Sequence, residues 1–264
     1  MGATQGSQAV EREADWDRLW SDQDEAPGSL DVELGSLRWR TQRDLVERRF
    51  GSFEGLEVIE IGAGQGTNAL LYALHGARAT VLDRSSVALE QSRRRFARHG
   101  LEVELVEADL FELPAALRDR FDVSMSFGVC EHFLGQRRQQ VVAAHLEVVK
   151  PGGLAVVNVP NRLSLPYRAW MGIQKRRGTW KLGTEVPFSG GELSDLAKLA
   201  GGVPLQPVHV GGLGTLVGHG LNPLLARLGV RTLPVPQVPV PLLDYLAYDL
   251  LLPVVRPKDP RARA

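Results

Sequence analysis

The segment from Val58 to Leu74 constrains the fold more than any other part of the sequence. The apolar run Val58-Ile59-Glu60-Ile61 is typical of a buried strand, and glycines follow it at alternate positions, Gly62, Gly64 and Gly66. A helical pattern of apolar residues then runs to Leu74. A strand, a glycine turn and a helix in this order open a nucleotide-binding βαβ unit.

The spacing of the glycines distinguishes two kinds of ligand. A dinucleotide fingerprint, Gly-x-Gly-x-x-Gly, would need its third glycine at position 67, where this chain has Thr67. A pyrophosphate also favours a free helix N-terminus, whereas Glu60 places a carboxylate beside it. An acid at this position suits a ligand that carries an amino group or a sulfonium. The spacing therefore disfavours a NAD-dependent oxidoreductase.

Strand and helix patterns alternate as far as Pro160, which predicts a parallel sheet with helices on both faces. The predicted strands are 58–61, 79–82, 103–106, 121–127 and 154–159. The predicted helices are 11–20, 37–50, 68–74, 85–98, 137–149 and 190–200, with a shorter one within 111–117. We predict the last strands at 208–210 and 213–217, ahead of a segment that seven prolines interrupt.

Asp83 ends the second predicted strand, about 20 residues after the glycine turn, where an acid can accept hydrogen bonds from ribose hydroxyls. The alternative is that Asp83 only caps the helix that starts near Ser85. We favour the ribose role, because the acid and the glycines occur together at this spacing.

Together these features resemble the class I S-adenosylmethionine (SAM) dependent methyltransferases, whose first motif, acid-x-Gly-x-Gly-x-Gly, is matched by Glu60, Gly62, Gly64 and Gly66. The segments 121–133 and 149–154 are similar to the family's fourth motif and its turn into the fifth strand. The resemblance spans 57–160, and its nearest group is the small-molecule, ubiquinone-biosynthesis-like methyltransferases of type 11.

The resemblance implies a fold, a cofactor and a set of binding residues. The expected fold is an α/β Rossmann-like, doubly wound sheet of seven strands, mostly parallel with an antiparallel last strand. The cofactor would be S-adenosyl-L-methionine, with Glu60 at its methionine end and Asp109 at the adenine amine, although Asp109 could instead cap the following turn. The implied cofactor-binding residues are Glu60, Gly62, Ala63, Gly64, Gly66, Asp83, Arg84, Asp109, Leu110, Phe127 and Gly128.

Glu131 and His132 are the candidate catalytic residues, because they follow the fourth strand at the sheet edge where open α/β proteins bind ligands. A histidine there can take a proton from a hydroxyl near neutral pH. Some quinone-pathway O-methyltransferases of this family carry a Glu-His pair as part of a divalent-metal site. Two residues are too few ligands, so we predict no metal, and the alternative that the pair only shapes the pocket stays open.

We divide the chain into five parts. Residues 1–50 would form a helical segment that covers the cofactor, since Trp16-Asp17-Arg18-Leu19-Trp20 resembles such a lid, although simple packing is an equal alternative. The remaining parts are a SAM-binding core (51–160), an acceptor-side insertion that is basic and aromatic (161–188), the completion of the sheet (189–220) and a Pro-rich apolar segment (221–264). The run Gln174-Lys175-Arg176-Arg177 would face solvent, or alternatively meet a substrate anion or an anionic membrane.

Composition limits the partners. The 31 basic and 31 acidic residues give a formal net charge of zero, which argues against nucleic acid as a partner. The single cysteine, Cys130, excludes an internal disulfide, and no apolar stretch reaches the length of a membrane span, so we expect a cytoplasmic protein. The sequence thus predicts methyl transfer to a small, hydrophobic or aromatic acceptor. The alternatives are methylation of RNA or protein and a non-catalytic SAM-binding subunit.

Overall fold

The chain forms one mixed sheet with helices packed around it. The computed structural model describes residues 14–21 and 29–258. Within them the strands are β1 (Glu57–Ile61), β2 (Arg78–Asp83), β3 (Glu104–Glu107), β4 (Phe121–Phe127), β5 (Val149–Pro160), β6 (Val203–Pro204), β7 (Val208–Val210) and β8 (Asp249–Val255). The helices are α1 (Trp16–Ser21), α2 (Ser29–Leu34), α3 (Leu37–Phe50), α4 (Thr67–Ala73), α5 (Ser86–Arg98), α6 (Gly135–Val148), α7 (Leu165–Arg176), α8 (Gly190–Leu199), α9 (Gly212–Thr215), α10 (Asn222–Arg227) and α11 (Pro241–Asp244).

The strands lie in the order β3-β2-β1-β4-β5-β8-β6, and β7 also pairs with β8. The first five strands in this order are mutually parallel, and β8 is antiparallel to β5, β6 and β7. Because β6 and β7 follow one another along the same edge of β8, the sheet has seven strand positions. The expected Rossmann-like architecture, with one antiparallel strand that comes last in the chain, is confirmed.

Burial on both faces explains why the central strands are so apolar. Val58, Val123 and Leu154 belong to one core, and Val149, Val157 and Leu252 belong to a second. Parallel strands covered by helices on both sides have no solvent face, so their side chains do not alternate between polar and apolar. This geometry leaves the carboxyl ends of β1 to β4 as the accessible edge.

Serine caps fix the starts of three helices that the sequence predicts. Ser36 accepts a hydrogen bond from the Trp39 amide at 3.0 Å, Ser85 from Ala88 at 3.2 Å, and Ser189 from Glu192 at 3.2 Å. Such a cap satisfies an amide that has no partner within its helix. The predictions of α3, α5 and α8 are confirmed to within two residues at each end.

The C-terminal third differs from the sequence prediction. The predicted strand at 213–217 is wrong, because these residues lie in α9 and in a π-helix that follows it (Leu216–Leu221). The last strand is instead β8, inside the Pro-rich segment. The sequence also predicts that the helix before Pro151 extends to Val149, whereas β5 begins at Val149 and runs through the Pro-Gly-Gly turn.

The N-terminal elements are short. The predicted helix 11–20 is observed as α1 (Trp16–Ser21), and residues 11–13 and 22–28 lie outside the described part of the chain. Helix α2 was not predicted, and the predicted helix within 111–117 is reduced to a 3-10 turn at Ala115–Leu117. In the described ranges, none of the helices combines the length and the hydropathy that crossing a bilayer requires.

Candidate functional site

A cavity of about 400 Å³ opens at the carboxyl ends of β1, β2 and β4. The site residues that the sequence predicts and that line this cavity are Gly62, Ala63, Asp83, Arg84, Asp109, Leu110, Phe127, Gly128, Glu131 and His132. Three predicted residues, Glu60, Gly64 and Gly66, do not line it. The parallel sheet thus brings most of the predicted site together, since each residue follows a strand that ends at the same edge.

Two glycines of the turn, Gly64 and Gly66, are required for different reasons. Gly64 has φ +52°, and a Cβ there would overlap the Trp20 indole, so this glycine allows α1 to lie directly on the turn. Gly66 has φ +64° and is the residue before α4, where a left-handed conformation starts the helix. Gly62 and Ala63 remain as the part of the turn that faces the cavity.

Glu60 lies beneath the turn rather than in the cavity. Its carboxylate accepts hydrogen bonds from the Ala69 amide at 2.8 Å and from Asn68 Nδ2 at 3.0 Å, so both oxygens are used at the start of α4. Burial raises the pKa of Glu60 to about 7, against the lowering effect of these hydrogen bonds. This geometry does not support the predicted direct contact with the methionine end of a cofactor, because the side chain holds the turn in place.

Asp83 is anchored with its carboxylate on the cavity wall. One oxygen accepts from the Gly64 amide at 2.8 Å and the other from the Ser85 amide at 2.9 Å. Burial raises its pKa, and these backbone hydrogen bonds oppose the shift. Ser85, not Asp83, provides the side-chain cap of α5. The Arg84 amide donates a third hydrogen bond to the same carboxylate. Because each carboxylate oxygen can accept two hydrogen bonds, acceptor capacity for one ligand group remains.

Asp109 caps a turn, and its position on the cavity wall is compatible with the predicted contact to an adenine amine. Its Oδ1 accepts from the Phe111 amide at 2.9 Å, which closes a turn, and the residue also lines the cavity. Beyond it, the rings of Phe111 and Phe133 meet edge to face with centroids 5.0 Å apart. The Arg137 guanidinium lies 4.3 Å from the Phe111 ring centroid. Apolar rings and one acid thus border this end of the cavity.

His132 is oriented by the backbone of the insertion. Its Nδ1 donates a hydrogen bond to the Thr184 carbonyl at 2.7 Å, and backbone groups of Gly128 and Leu182 also lie beside the ring. In this tautomer of the neutral ring, Nε2 is the nitrogen that can accept a proton. Burial lowers the pKa of this imidazole. The Trp16 ring packs edge-on at a centroid distance of 5.0 Å. A neutral, fixed histidine is an available proton acceptor.

Glu131 and Glu185 form a buried acid pair that the sequence analysis missed. The ligand atoms of Glu131, His132 and Glu185 lie within 4.8 Å of one another. Burial raises the pKa of Glu131 well above its ordinary value, and the nearby Glu185 raises it further. Glu185 accepts a hydrogen bond from the Tyr167 hydroxyl, and Glu131 Oε2 has no hydrogen-bond partner among the described residues.

This cluster removes the reason for our prediction that no metal binds here. That prediction was based on Glu131 and His132 being too few ligands, and Glu185 adds a third donor of the type that divalent cations bind. A signal for Glu185 existed in the sequence, because it is the single acid between Glu147 and Glu192. No motif marked it as a site residue.

Two other parts of the chain complete the cavity. Helix α1 contributes Trp16 and Trp20 from above, and its Asp17 carboxylate accepts a hydrogen bond from the Ser85 hydroxyl at 2.5 Å. Leu182 and Tyr248 line the far side. His209 and His219 do not line it, and His145 is buried in α6.

Comparison with known proteins finds similarity in the central part of the chain. Residues 58–153 match the family model described as a methyltransferase domain. A protein of Mycolicibacterium smegmatis named as a probable S-adenosylmethionine-dependent methyltransferase is 33% identical over 48% of this chain and 47% of its own length. The ubiquinone biosynthesis O-methyltransferase of Salmonella paratyphi A is 32% identical over 44% of this chain and 48% of its length. The chain thus spans about half the length of the curated relatives it matches.

The fold comparison extends over nearly the whole chain. The magnesium protoporphyrin IX methyltransferase of Synechocystis, solved with bound S-adenosylhomocysteine (SAH), superposes with a TM-score of 0.57 at 14% identity. The match covers 91% of this chain and 92% of that one, so the fold is shared over nearly the whole length. Residues 58–153 of this chain are thus similar to a methyltransferase domain, within a fold that a methyltransferase solved with bound SAH also has.

Proposed function

We propose that the chain transfers a methyl group from SAM to a small organic acceptor with a hydrophobic or aromatic body. The observation that carries the proposal is one cavity with two unlike ends. The glycine turn, Asp83 and Asp109 border one end, and Glu131, His132 and Glu185 border the other. A donor bound at the first end would present its methyl group toward the second.

The first end suits SAM by the chemistry of its residues. Asp83 lines the cavity and retains acceptor capacity for a ribose hydroxyl, and such a charge-assisted hydrogen bond is stronger than a neutral one. Asp109 accepts from an adenine amine, beside the apolar Leu110. The turn at Gly62 and Ala63 faces the same space, and Glu60 acts as a positioning residue that fixes the start of α4.

The second end supplies a base and excludes water. SAM supplies an activated methyl group on a sulfonium, so the protein needs mainly to align the acceptor and the methyl carbon. His132 would take the acceptor proton on Nε2, because its Nδ1 proton is held by Thr184. Trp16 packs against the imidazole and limits the access of solvent.

The acid pair gives this end a second property. With its raised pKa, Glu131 is protonated over a wider pH range than an exposed acid and can donate a hydrogen bond to an acceptor oxygen. The donor set of Glu131, His132 and Glu185 also fits a divalent cation, which would lower the pKa of an acceptor hydroxyl placed beside it. Both arrangements favour an oxygen-bearing acceptor.

The character of the acceptor follows from the remaining walls. Leu182, Phe133 and Tyr248 line the cavity, and Trp16 and Trp20 close it. A cavity of this size with these apolar walls suits a small molecule. An RNA or protein would have to pass its target group beneath Trp16 and Trp20 to reach the cavity. We keep macromolecular methylation and a non-catalytic SAM-binding subunit as outcomes of the experiment.

The test follows the methyl group itself. The protein is incubated with methyl-labelled SAM and an extract of source cells, which is then separated into organic-soluble, protein and nucleic-acid fractions. Label in the organic fraction supports the proposal, and mass spectrometry of that fraction names the acceptor. Label confined to protein or nucleic acid refutes the acceptor class, and SAM binding without transfer in any fraction refutes the catalytic role.

Asp83→Asn tests the cofactor side separately. Removing the charge while keeping the size should weaken SAM binding by about 10- to 100-fold, because charged hydrogen bonds contribute more than neutral ones. Isothermal titration calorimetry measures the affinity, and circular dichroism checks that the fold is retained. Asp195→Asn, an exposed acid on α8, is the matched control and should bind SAM as the unchanged protein does. Equal affinities of both variants would refute the ribose assignment.

A further inference from the structure

Exposed apolar side chains are concentrated in two segments outside the cavity. Of the 18 large apolar side chains that are exposed in the described part of the chain, 11 lie in the segments 163–182 and 221–242. Leu242 is 89% exposed, Leu228 is 75% and Leu165 is 62%. Isolated exposed apolar residues are ordinary, but a concentration of this kind marks an interaction surface. We call residues 163–182 and 221–242 together the basic–apolar face.

The charges of this face differ from those of the rest of the protein. Residues 161–184 and 199–243 contain eight arginines and lysines and no acid, in a chain whose overall formal charge is zero. Arg162 is paired with Glu192 at 2.6 Å. The other seven are exposed: Arg168, Lys175, Arg176, Arg177, Lys181, Arg227 and Arg231. Apolar and basic side chains are therefore interleaved along the same two segments.

The two segments adjoin and are held in place. Helix α7 packs against the π-helix, and a Cβ on Gly220 would be 3.9 Å from the Pro166 Cβ. The Asn222 side chain donates to the Leu233 carbonyl at 2.9 Å and accepts from its amide at 2.8 Å, which ties the two ends of residues 222–233 together. The exposed apolar residues thus stand on fixed backbone.

Helix α7 has a packed side and an exposed side, and its sequence differs between them. Tyr167, Trp170 and Gln174 are three and four residues apart, and the first two pack within an aromatic cluster with His219. Leu165, Ile173 and Arg176 are exposed. The outer side of α7 therefore leaves Leu165 62% and Ile173 46% exposed, although both are apolar.

We propose that the basic–apolar face docks this protein on the surface of an anionic phospholipid bilayer. Leucine and valine side chains would enter the boundary between headgroups and acyl chains, and the arginines and lysines would contact anionic headgroups. A second copy is disfavoured because pairing the face with itself would oppose like charges. A polynucleotide would leave the apolar side chains in water.

Docking on this face also places the cavity near the lipid. Leu182 lies at the end of the first segment and lines the cavity, so the same stretch of chain connects the surface with the site. An apolar acceptor dissolved in the bilayer would reach the cavity along this stretch. The docking proposal itself does not depend on methyl transfer, and its test uses no activity measurement.

The test measures sedimentation of the full chain with vesicles. Vesicles of phosphatidylcholine mixed with phosphatidylglycerol should carry the protein down, and vesicles of phosphatidylcholine alone should do so much less. Arg176→Gln combined with Arg177→Gln should lower the partition coefficient on mixed vesicles about 30-fold, because each basic side chain near an anionic surface adds about a factor of five. Leu228→Ser combined with Leu242→Ser should also lower it, and added salt should weaken binding of the unchanged protein.

Matched variants away from the face complete the design. Arg48→Gln combined with Arg93→Gln removes two exposed arginines on α3 and α5, and Leu199→Ser removes an exposed leucine on α8. These controls should bind mixed vesicles as the unchanged protein does. The proposal is overturned if mixed vesicles do not bind the protein or if the controls lose as much binding as the face variants. Self-association that the face variants abolish, seen by analytical ultracentrifugation, would overturn it in favour of a second copy.

Discussion

At the scale of single residues, buried polar groups position the site in ways that the sequence motifs do not reveal. Glu60 belongs to the family motif, yet its carboxylate is used inside the protein to hold α4. Glu185 belongs to no motif, yet it completes the acid cluster beside His132. A motif identifies which residues recur together, but the direction of each side chain depends on packing that one sequence does not show.

His145 makes a residue-scale prediction about pH. It is fully buried in α6, its Nδ1 donates to the Val141 carbonyl at 2.8 Å, and burial lowers its pKa from 6.5 to about 4. The folded state therefore keeps a neutral imidazole while the unfolded chain takes up a proton below its ordinary pKa. This contribution to stability is complete above about pH 6.5 and is lost as the pH falls toward about 4.

The comparison with His145→Leu isolates this contribution. Glu60 has the opposite sign, since its folded pKa of about 7 favours the folded state at low pH, so the pH profile of one protein alone is ambiguous. Between about pH 6.5 and about pH 5, the unchanged protein should lose about 2 kcal/mol of unfolding free energy more than His145→Leu does. Urea denaturation at several pH values measures both. Parallel pH profiles would show that His145 is not buried in the neutral form.

At the scale of elements, the position of α1 depends on one glycine of the turn, Gly64. Trp20 lies on Gly64, and the Gln91 side chain donates to the Trp20 carbonyl at 2.6 Å, so the short helix is held from both sides. Gly64→Ala should therefore displace the indole and also strain a left-handed backbone. We expect a lower melting temperature and weaker SAM binding, because α1 and the glycine turn both border the cavity.

A double-mutant cycle with Trp20→Ala separates the two effects. Without the indole, Gly64→Ala should cost only the backbone strain of about 1 kcal/mol. Gly100→Ala is the matched control, since Gly100 has φ +66° and nothing within 4 Å of its Cβ position. Its cost should be similar with and without Trp20. Thermal unfolding and SAM calorimetry give the values, and additive effects of Gly64→Ala and Trp20→Ala would contradict the contact.

The elements also show what could be predicted from the sequence. Strands β1, β2 and β4 and helices α3, α5 and α8 follow local signals, namely apolar runs and serine caps, and were predicted closely. The sequence predicts a strand at residues 213–217, but Gly212 packs against the Leu243 backbone and Thr215 accepts from the Tyr248 amide at 2.8 Å. These contacts come from residues 31 and 33 positions away in sequence. Local patterns do not contain them.

At the scale of the whole molecule, the last strand joins parts that are far apart in the chain. Strand β8 lies between β5 on one side and β6 and β7 on the other, and its side chains enter both cores. The break between β6 and β7 lies opposite Pro253, which has no amide hydrogen to donate. In the sequence, the prolines make this segment unlike a central strand. In the structure, the sheet accommodates Pro253 because the neighbouring edge is interrupted between β6 and β7.

Leu251 tests whether β8 is integral to the fold. Its side chain is fully buried, and the residue pairs with Asn158 in β5 and with Val208 in β7. Leu251→Ala should lower the unfolding free energy by about 3 kcal/mol, the usual cost of removing a buried leucine side chain. Leu242 is 89% exposed and belongs to the same Pro-rich segment. Leu242→Ala should change the unfolding free energy by less than about 0.5 kcal/mol. Thermal and urea unfolding compare the two variants, and equal destabilisation would mean that β8 adds no more to the core than the surface residues before it.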